Sequence, residues 1–364
     1  MKPSNFLNML LNKKTAITFT LFIFISCTNS NQNLNPTSVT EFGTPTELEG
    51  DQLFVEVMGK ASFTLIDSLI LFSTRDEDMF QVYDLKGNHI SSFGRQGNGP
   101  GEYTRQPFFH DANSFTKNGN NHILFYDKSN NLTGVELDVT ASIQKNEVVI
   151  AKEFKLPEIF SHPAISLFHI DSENYLGMYG DQFFQQFDGR EGGWYYSPAD
   201  TSVTTFSMYN LHMEPFDAIP ENNLNLRYLG VSPDRSKFAT AFLFAPIIEI
   251  FDMYSTEPLQ IKVTDKPFPP KTPFTPEDFN ENRLTEYFWS IYTSNEHIYL
   301  LYIGKKMSEP NKEQFVKIID WEGNPIQQYS IPPEYNIASF QVDVEKNQIY
   351  GLSWDNDALY RFDL

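Results

Sequence analysis

The side chains that could do chemistry are few and scattered. The seven histidines are His89, His110, His122, His162, His169, His212 and His297. None stands in an HxH or HExxH pattern, the spacings that aim two imidazoles at one metal. A GxSxG nucleophile elbow is absent. The single cysteine, Cys27, allows neither an intrachain disulfide nor a cysteine-based zinc cluster. The run Gly94-Arg95-Gln96-Gly97-Asn98-Gly99-Pro100-Gly101 has the glycine content of a phosphate cradle. A cradle also needs a Lys-Ser/Thr pair and a helix behind it, and Pro107, Phe108 and Phe109 come instead. The run reads as a turn between elements, its glycines taking backbone angles that other residues resist.

A short set of ligand-contact candidates remains. Arg95 lies in the glycine-rich run, and His110-Asp111 follow it, placed to face a central channel. Trp194 and Tyr195 belong to Gly192-Gly193-Trp194-Tyr195-Tyr196, which reads as an insertion. Exposed aromatics on a loop can stack on sugar rings or anchor a partner. The carboxylate groups Asp76-Glu77-Asp78 and Asp355-Asn356-Asp357 fall in expected turns, where acids are ordinarily solvated. Their spacing lacks the full calcium loop of an EF-hand, so calcium stays unproven. No catalytic residue, metal ligand or cofactor is assigned from the sequence.

The composition says what must position such residues. The chain has 364 residues and a formal net charge of -20, with 40% hydrophobic and 15% aromatic residues. A surface this acidic repels phosphate backbones and anionic headgroups, which argues against nucleic acid and against direct docking on anionic lipid. The 33 Phe and 18 Tyr favour half-buried strands, and the 22 Pro and 19 Gly suit many short strands joined by many turns.

The N-terminus reads as an address. Lys13 and Lys14 precede the apolar stretch 15–26, which fits a secretory signal and is too short to span a bilayer comfortably. Ser26 stands directly before Cys27, with Phe24 where Leu is usual, and the arrangement resembles the lipobox of bacterial lipoproteins. That resemblance implies cleavage before Cys27 and its acylation. The expected organisation is a signal peptide over 1–26, a flexible Asn-rich tether over 27–48, and one domain over 49–364. The expected location is the cell envelope, lipid-anchored, on the periplasmic side or the outer membrane surface.

Within 49–364 one unit recurs: an apolar strand, a polar turn, a second strand ending in aromatic or aliphatic-Asp, and sometimes a third. Copies centre on Asp67–Thr74 with Met79–Asp84, His122–Asp127 with Leu132–Asp138, and Asn174–Tyr179 with Val203–Tyr209. Three more pair Lys237–Phe242 with Ile247–Asp252, His297–Tyr302 with Phe315–Asp320, and Gln348–Ser353 with Ala358–Asp363. Spacings of roughly 40 to 70 residues fit four-stranded propeller blades with loop insertions. Lys86-Gly87-Asn88 and Glu322-Gly323-Asn324 mark matching hairpin turns. The last copy lacks an outer strand, and Leu53–Val57 is a spare strand that would complete it. The expected fold is therefore all-β, a six-bladed β-propeller of four-stranded antiparallel blades closed by an N-terminal strand. One helix is expected over Phe279–Ile291, after the start signal Thr275-Pro276-Glu277-Asp278, and Pro267–Pro276 reads as an extended loop.

Residues 93–103 with Pro107, and Tyr126-Asp127-Lys128-Ser129-Asn130-Asn131, resemble the inter-blade segment and strand-turn of NHL-repeat propellers. With the lipoprotein start, the chain resembles the TolB-like six-bladed propeller lipoproteins of Bacteroidetes. That resemblance implies fold and compartment and little about activity. Two functions stay open. One is a monomeric binding or scaffold module for a protein, peptide or glycan. The other is a propeller enzyme of lyase, lactonase or hydrolase type with a channel-lining metal site.

Overall fold

The computed structural model describes residues 38–39, 41–55, 57, 60–74, 77–97, 99, 102–103, 114–127, 133–156, 165–179, 193–206, 226–263, 283–306, 308–310 and 312–364. The first described segments are three short strands, β1 (Ser38–Val39), β2 (Thr46–Glu47) and β3 (Gly50–Val55). Blade 1 follows as β4 (Lys60–Ile66), β5 (Leu69–Thr74), β6 (Asp78–Asp84) and β7 (His89–Gln96), with β8 (Glu102–Tyr103) added parallel to β7. Blade 2 is β9 (Ser114–Lys117), β10 (Asn120–Asp127), β11 (Thr133–Asp138) and β12 (Ile150–Lys155). A helix, α1 (Val139–Lys145), stands between its last two strands. Blade 3 is β13 (Ile165–His169), β14 (Tyr175–Tyr179), β15 (Gly193–Ser197) and β16 (Ser202–Phe206). Blade 4 is β17 (Arg227–Val231), β18 (Lys237–Phe242), β19 (Ile247–Asp252) and β20 (Leu259–Lys262). Blade 5 is β21 (Thr285–Thr293), β22 (His297–Lys306), β23 (Gln314–Asp320) and β24 (Pro325–Ile331). Blade 6 has β25 (Ser339–Asp343), β26 (Gln348–Ser353) and β27 (Ala358–Asp363), and its fourth strand is β3.

The chain is thus a six-bladed β-propeller of four-stranded antiparallel blades, closed as its alternation of apolar and polar residues predicts. β3 runs antiparallel to β27, with Gly50 opposite Phe362 and Val55 opposite Ala358. The first strands of the blades are neighbours around the axis, β17 beside β21, β21 beside β25 and β25 beside β4. Apolar side chains fill the wedges between successive sheets. Phe80, Val82 and Phe93 of blade 1 meet Ile123, Phe125 and Leu137 of blade 2. Phe168 and Met178 of blade 3 meet Val231, Phe238 and Phe251 of blade 4, with the last two rings stacked at 4.5 Å. Such aromatic payloads supply most of the burial that holds one small sheet to the next.

The matched turns fold alike. Asp84 Oδ1 accepts from the Lys86 and Asn88 backbone N–H groups, and Asp84 Oδ2 from Asn88 Nδ2. Asp320 does the same for Glu322 and Asn324. Gly87 and Gly323 take φ of 85° and 86°, the left-handed region that a Cβ resists. In blade 2 the corresponding Asp138 instead caps α1, accepting from Ala141 N at 2.8 Å.

Two expectations fail. Residues 285–293 form β21, the innermost strand of blade 5, rather than the end of a helix over Phe279–Ile291. The aromatic and β-branched run Thr-Glu-Tyr-Phe-Trp-Ser-Ile-Tyr-Thr suits a strand walled on both faces, and the helix-start signal lies outside the described residues. In blade 3 the partner of β14 is β15, not Val203–Tyr209, which contributes the outer β16. Trp194 sits opposite Gly177, and a Cβ on that glycine would meet Trp194 Cζ2 at 1.8 Å.

Residues 38–39 and 41–48, expected within the tether, lie against the domain. β1 pairs parallel with β20 and β2 with β24, and Leu48 is buried. Phe42 covers Lys317, whose Nζ is 4.2 Å from the ring centre and donates to Gln328 Oε1. Burial brings Lys317 down to about 8.

Deleting residues 50–55 leaves blade 6 three-stranded, and the thermal midpoint is expected to fall by more than about 10 °C. An unchanged midpoint in calorimetry would remove the closing role of β3. Gly177→Ala is expected to cost about 3 kcal/mol or more in urea unfolding, because the indole has no room to move. A loss under about 1 kcal/mol would mean that the Trp194 wall yields.

Candidate functional site

A cavity of about 520 Å³ opens where the first two strands of each blade turn into one another. Every blade sends a polar side chain to its wall: Asp67, Asn121, His169, Arg235, Thr293 and Gln341, in blade order. The first two strands of the blades position them. Asp67 follows β4, Asn121 is the second residue of β10, His169 ends β13, Thr293 ends β21, and Gln341 lies within β25.

Hydrogen bonds tie these ends together. Asn121 Nδ2 donates to Asp67 Oδ2, and Asn121 N donates to Thr140 Oγ1. Thr293 Oγ1 donates to Val231 O at 2.8 Å, and Gln341 Nε2 to Phe63 O at 3.3 Å. Arg235 reaches furthest. It sits in the β17–β18 turn of blade 4, and its Nη2 donates to Ser114 O of blade 2 at 2.9 Å. The guanidinium therefore bridges two blades that are not neighbours in the ring.

The Arg235 turn is built to hold a strained residue. Its sequence is Ser232-Pro233-Asp234-Arg235-Ser236, with Arg in the place where Pro-Asp-Gly would make the easiest turn. Arg235 takes φ of 62°, which costs a residue with a Cβ about 1 kcal/mol or more. Asp234 Oδ1 accepts from the Ser232 hydroxyl and from Ser236 N and Oγ, while Asp234 N donates to Asn295 Oδ1 of blade 5. Burial lowers the guanidinium to about 10, which leaves it charged at neutral pH.

His169 is the second unusual group. Its residue is 9% exposed, and neither ring nitrogen has a hydrogen-bond partner among the described residues. Buried polar atoms are ordinarily paired, and an unpaired one marks a place where something else binds or where strain is stored. The ring is held flat against Phe115, with centroids 3.9 Å apart and planes 1° apart, and faces Tyr175 edge-on. Burial first, then the Arg235 charge, brings the imidazole down to about 4, so it is neutral at pH 7. Behind it Glu136, wholly buried, accepts from Tyr175 Oη and from Lys117 Nζ, and Lys152 Nζ donates to Tyr175 Oη. Burial and the Glu136 carboxylate push the Tyr175 phenol far up, so the phenol keeps its proton near neutrality.

The sequence-derived candidates fall elsewhere. Arg95 is exposed on β7, opposite Asp78, away from the channel. His110, Asp111 and Cys27 lie outside the described residues. Trp194 and Tyr195 are not on an exposed loop. They lie in β15 at 0% and 7% exposure, because both faces of that strand are covered by neighbouring blades. The wall residues were missed because they converge only through the ring. Along the chain Arg235 stands in a Pro-Asp-x turn at a position that glycine would fill with less strain. Among the described residues no group of three or more His, Cys, Asp or Glu side chains could hold a metal. No helix among them is long and apolar enough to cross a membrane.

The fold and the channel end define the class, a six-bladed β-propeller with a polar cavity on its axis. No protein-family model matches the chain, and no curated protein matches it. Among solved structures it is similar to a member of the DUF4221 family from Bacteroides vulgatus. The TM-score is 0.58 at 12% identity, over 88% of this chain and 98% of that one. Kuenenia stuttgartiensis hydrazine synthase gives a TM-score of 0.45 at 11% identity, over 85% of this chain and 76% of that one. At these identities the likeness is one of fold.

The unfolded imidazole titrates near 6.5 and the folded one near 4. Between those values the unfolded chain holds a proton that the folded chain lacks. Stability is therefore untouched by His169 above pH 6.5 and falls as pH drops toward 4. From about pH 7 to about pH 4.5 the native protein is expected to lose about 2 to 3 kcal/mol more than His169→Gln in urea unfolding. Equal losses in the two proteins would refute a buried neutral imidazole.

Proposed function

We propose that the protein is a lipid-anchored binding module of the cell envelope. Its acylated Cys27 holds the propeller at a membrane, and the channel end receives a small ligand. The observation that carries the binding half is His169, a buried imidazole whose two nitrogens have no partner among the described residues, in a residue that lines a cavity to which all six blades contribute. A cavity near 520 Å³ lies within the range of small-molecule sites, roughly 300 to 1,000 Å³. The apolar stretch 15–26 before a lone cysteine supports the anchor. The acidic surface supports a soluble domain beside the bilayer rather than one lying on it.

Both halves can be tested on the full chain. Cys27→Ala is expected to move the protein from the membrane fraction to the soluble fraction, with its thermal midpoint unchanged. A variant that stays wholly in the membrane fraction would refute the anchor. Thr116→Trp places an indole at the exposed rim of the cavity without entering the core. Compounds from a diverse small-molecule panel that raise the wild-type midpoint should leave this variant's midpoint unmoved. Equal shifts in both proteins would place binding elsewhere.

A further inference from the structure

We infer that the channel end is a carboxylate seat, in which Arg235 and His169 together hold the acid group of a small organic acid whose body rests on the apolar wall. This inference rests on the binding reading above and names the ligand's chemistry.

Charge is the first argument. The chain is acidic overall, yet the charged group set across the cavity is the guanidinium of Arg235. Asp67 is the one carboxylate on the described wall, and it accepts from Asn121 at the rim. An anion therefore meets a local cation inside a protein that repels it at long range.

Geometry is the second. A guanidinium is planar and presents its donors in a fork that matches a carboxylate. Arg235 is held in a left-handed turn that glycine would occupy with less strain, and strained backbone of this kind clusters at ligand clamps. Three hydrogen bonds from Ser232 and Ser236 to the Asp234 carboxylate, and a fourth from Asp234 N to Asn295, fix the turn. The guanidinium is thus directed past blade 3 toward blade 2, on the same wall as His169.

His169 supplies the third. A neutral imidazole offers one N–H donor and one acceptor nitrogen. Phe115 locks the ring plane, so the donor points in a set direction. One carboxylate oxygen can take that N–H while the other takes the guanidinium. The acceptor nitrogen then suits a hydroxyl on the ligand body. The apolar wall, Val231 and Ile291 among it, demands a body with carbon to bury, which inorganic anions lack.

The test uses matched pairs on the full chain in detergent: D-glucuronate against D-glucose, and benzoate against benzyl alcohol. Titration calorimetry should show at least one acid binding tenfold or more tightly than its neutral partner. Inorganic phosphate should bind no more tightly than the neutral compounds. Arg235→Gln should remove that preference, and Arg235→Gly should remove it without lowering the thermal midpoint, since glycine relieves the turn. The His169 ring-proton resonances should shift on saturation with the acid and not with its neutral partner. Which of the two acids binds separates a sugar acid from an aromatic one.

The inference is overturned if neither acid exceeds its neutral partner, or if Arg235→Gln keeps the preference. In either case, neutral compounds that bind wild type and not Thr116→Trp would leave the binding reading standing. Compounds that bind both proteins alike would bring down the two readings together.

Discussion

A propeller blade is a sheet too small to stand alone. Four short strands bury little unless both faces are covered, and in a ring each face is covered only if the next blade is present. One seam, where β27 meets β3, therefore governs the whole circle. The partners come from opposite ends of the domain, and Arg361 bonds Asp51 across 310 positions of sequence. Gly50 is the tight point of that seam. Its N–H donates to the Tyr335 hydroxyl, and a Cβ there would press within 2.5 Å of the Phe362 ring. Opening the seam would expose Leu53, Phe362 and the edge of β27 together, and would free blades 6 and 1 to splay apart. The cavity draws on the blade that this seam completes, since Gln341 of blade 6 donates to Phe63 O of blade 1 at the junction of β25 with β4.

The segment that leads into the seam also protects other edges. Outer strands present unpaired backbone groups, an invitation to pair with another chain. β1 lies parallel on β20, β2 on β24 and, from within the ring, β8 on β7, so among the described residues three of the six blades carry a short fifth strand. Lys317 is part of this arrangement. Its ammonium sits among the rings of Phe42, Tyr302 and Phe315, and covering it with Phe42 trades hydration for cation–π attraction. The cost of that trade is visible in a lysine brought down to about 8.

Much of the ring is legible in the sequence, because strand alternation and turn chemistry are local. The Asp-x-x-Gly-Asn turns at 84–88 and 320–324 need a carboxylate, a left-handed glycine and an asparagine at fixed offsets, and those offsets are written along the chain. Where two local signals compete, reading fails. Gly193–Ser197 has the glycine and bare aromatics of a loop, yet Trp194 is wholly buried, because the strand opposite offers Gly177 as its socket. The strand at 285–293 follows residues that read as a helix start, and its identity as an innermost strand comes from neighbours in blades 4 and 6. The cavity wall is the least legible part. Asp67, His169 and Gln341 have nothing in common along the chain, and only closure of the circle gathers them.

What the chain does reveal about the site is a choice against local ease. A turn of the form Pro-Asp-x is most relaxed with glycine at x, and here x is arginine. Two serines, an aspartate and Asn295 of the next blade fasten that turn, so the strain is carried by bonds on either side rather than by the arginine alone. The guanidinium is fixed on a carbonyl of blade 2, on the same wall as an imidazole whose ring Phe115 holds flat. Donors so placed lose little freedom if a guest meets them.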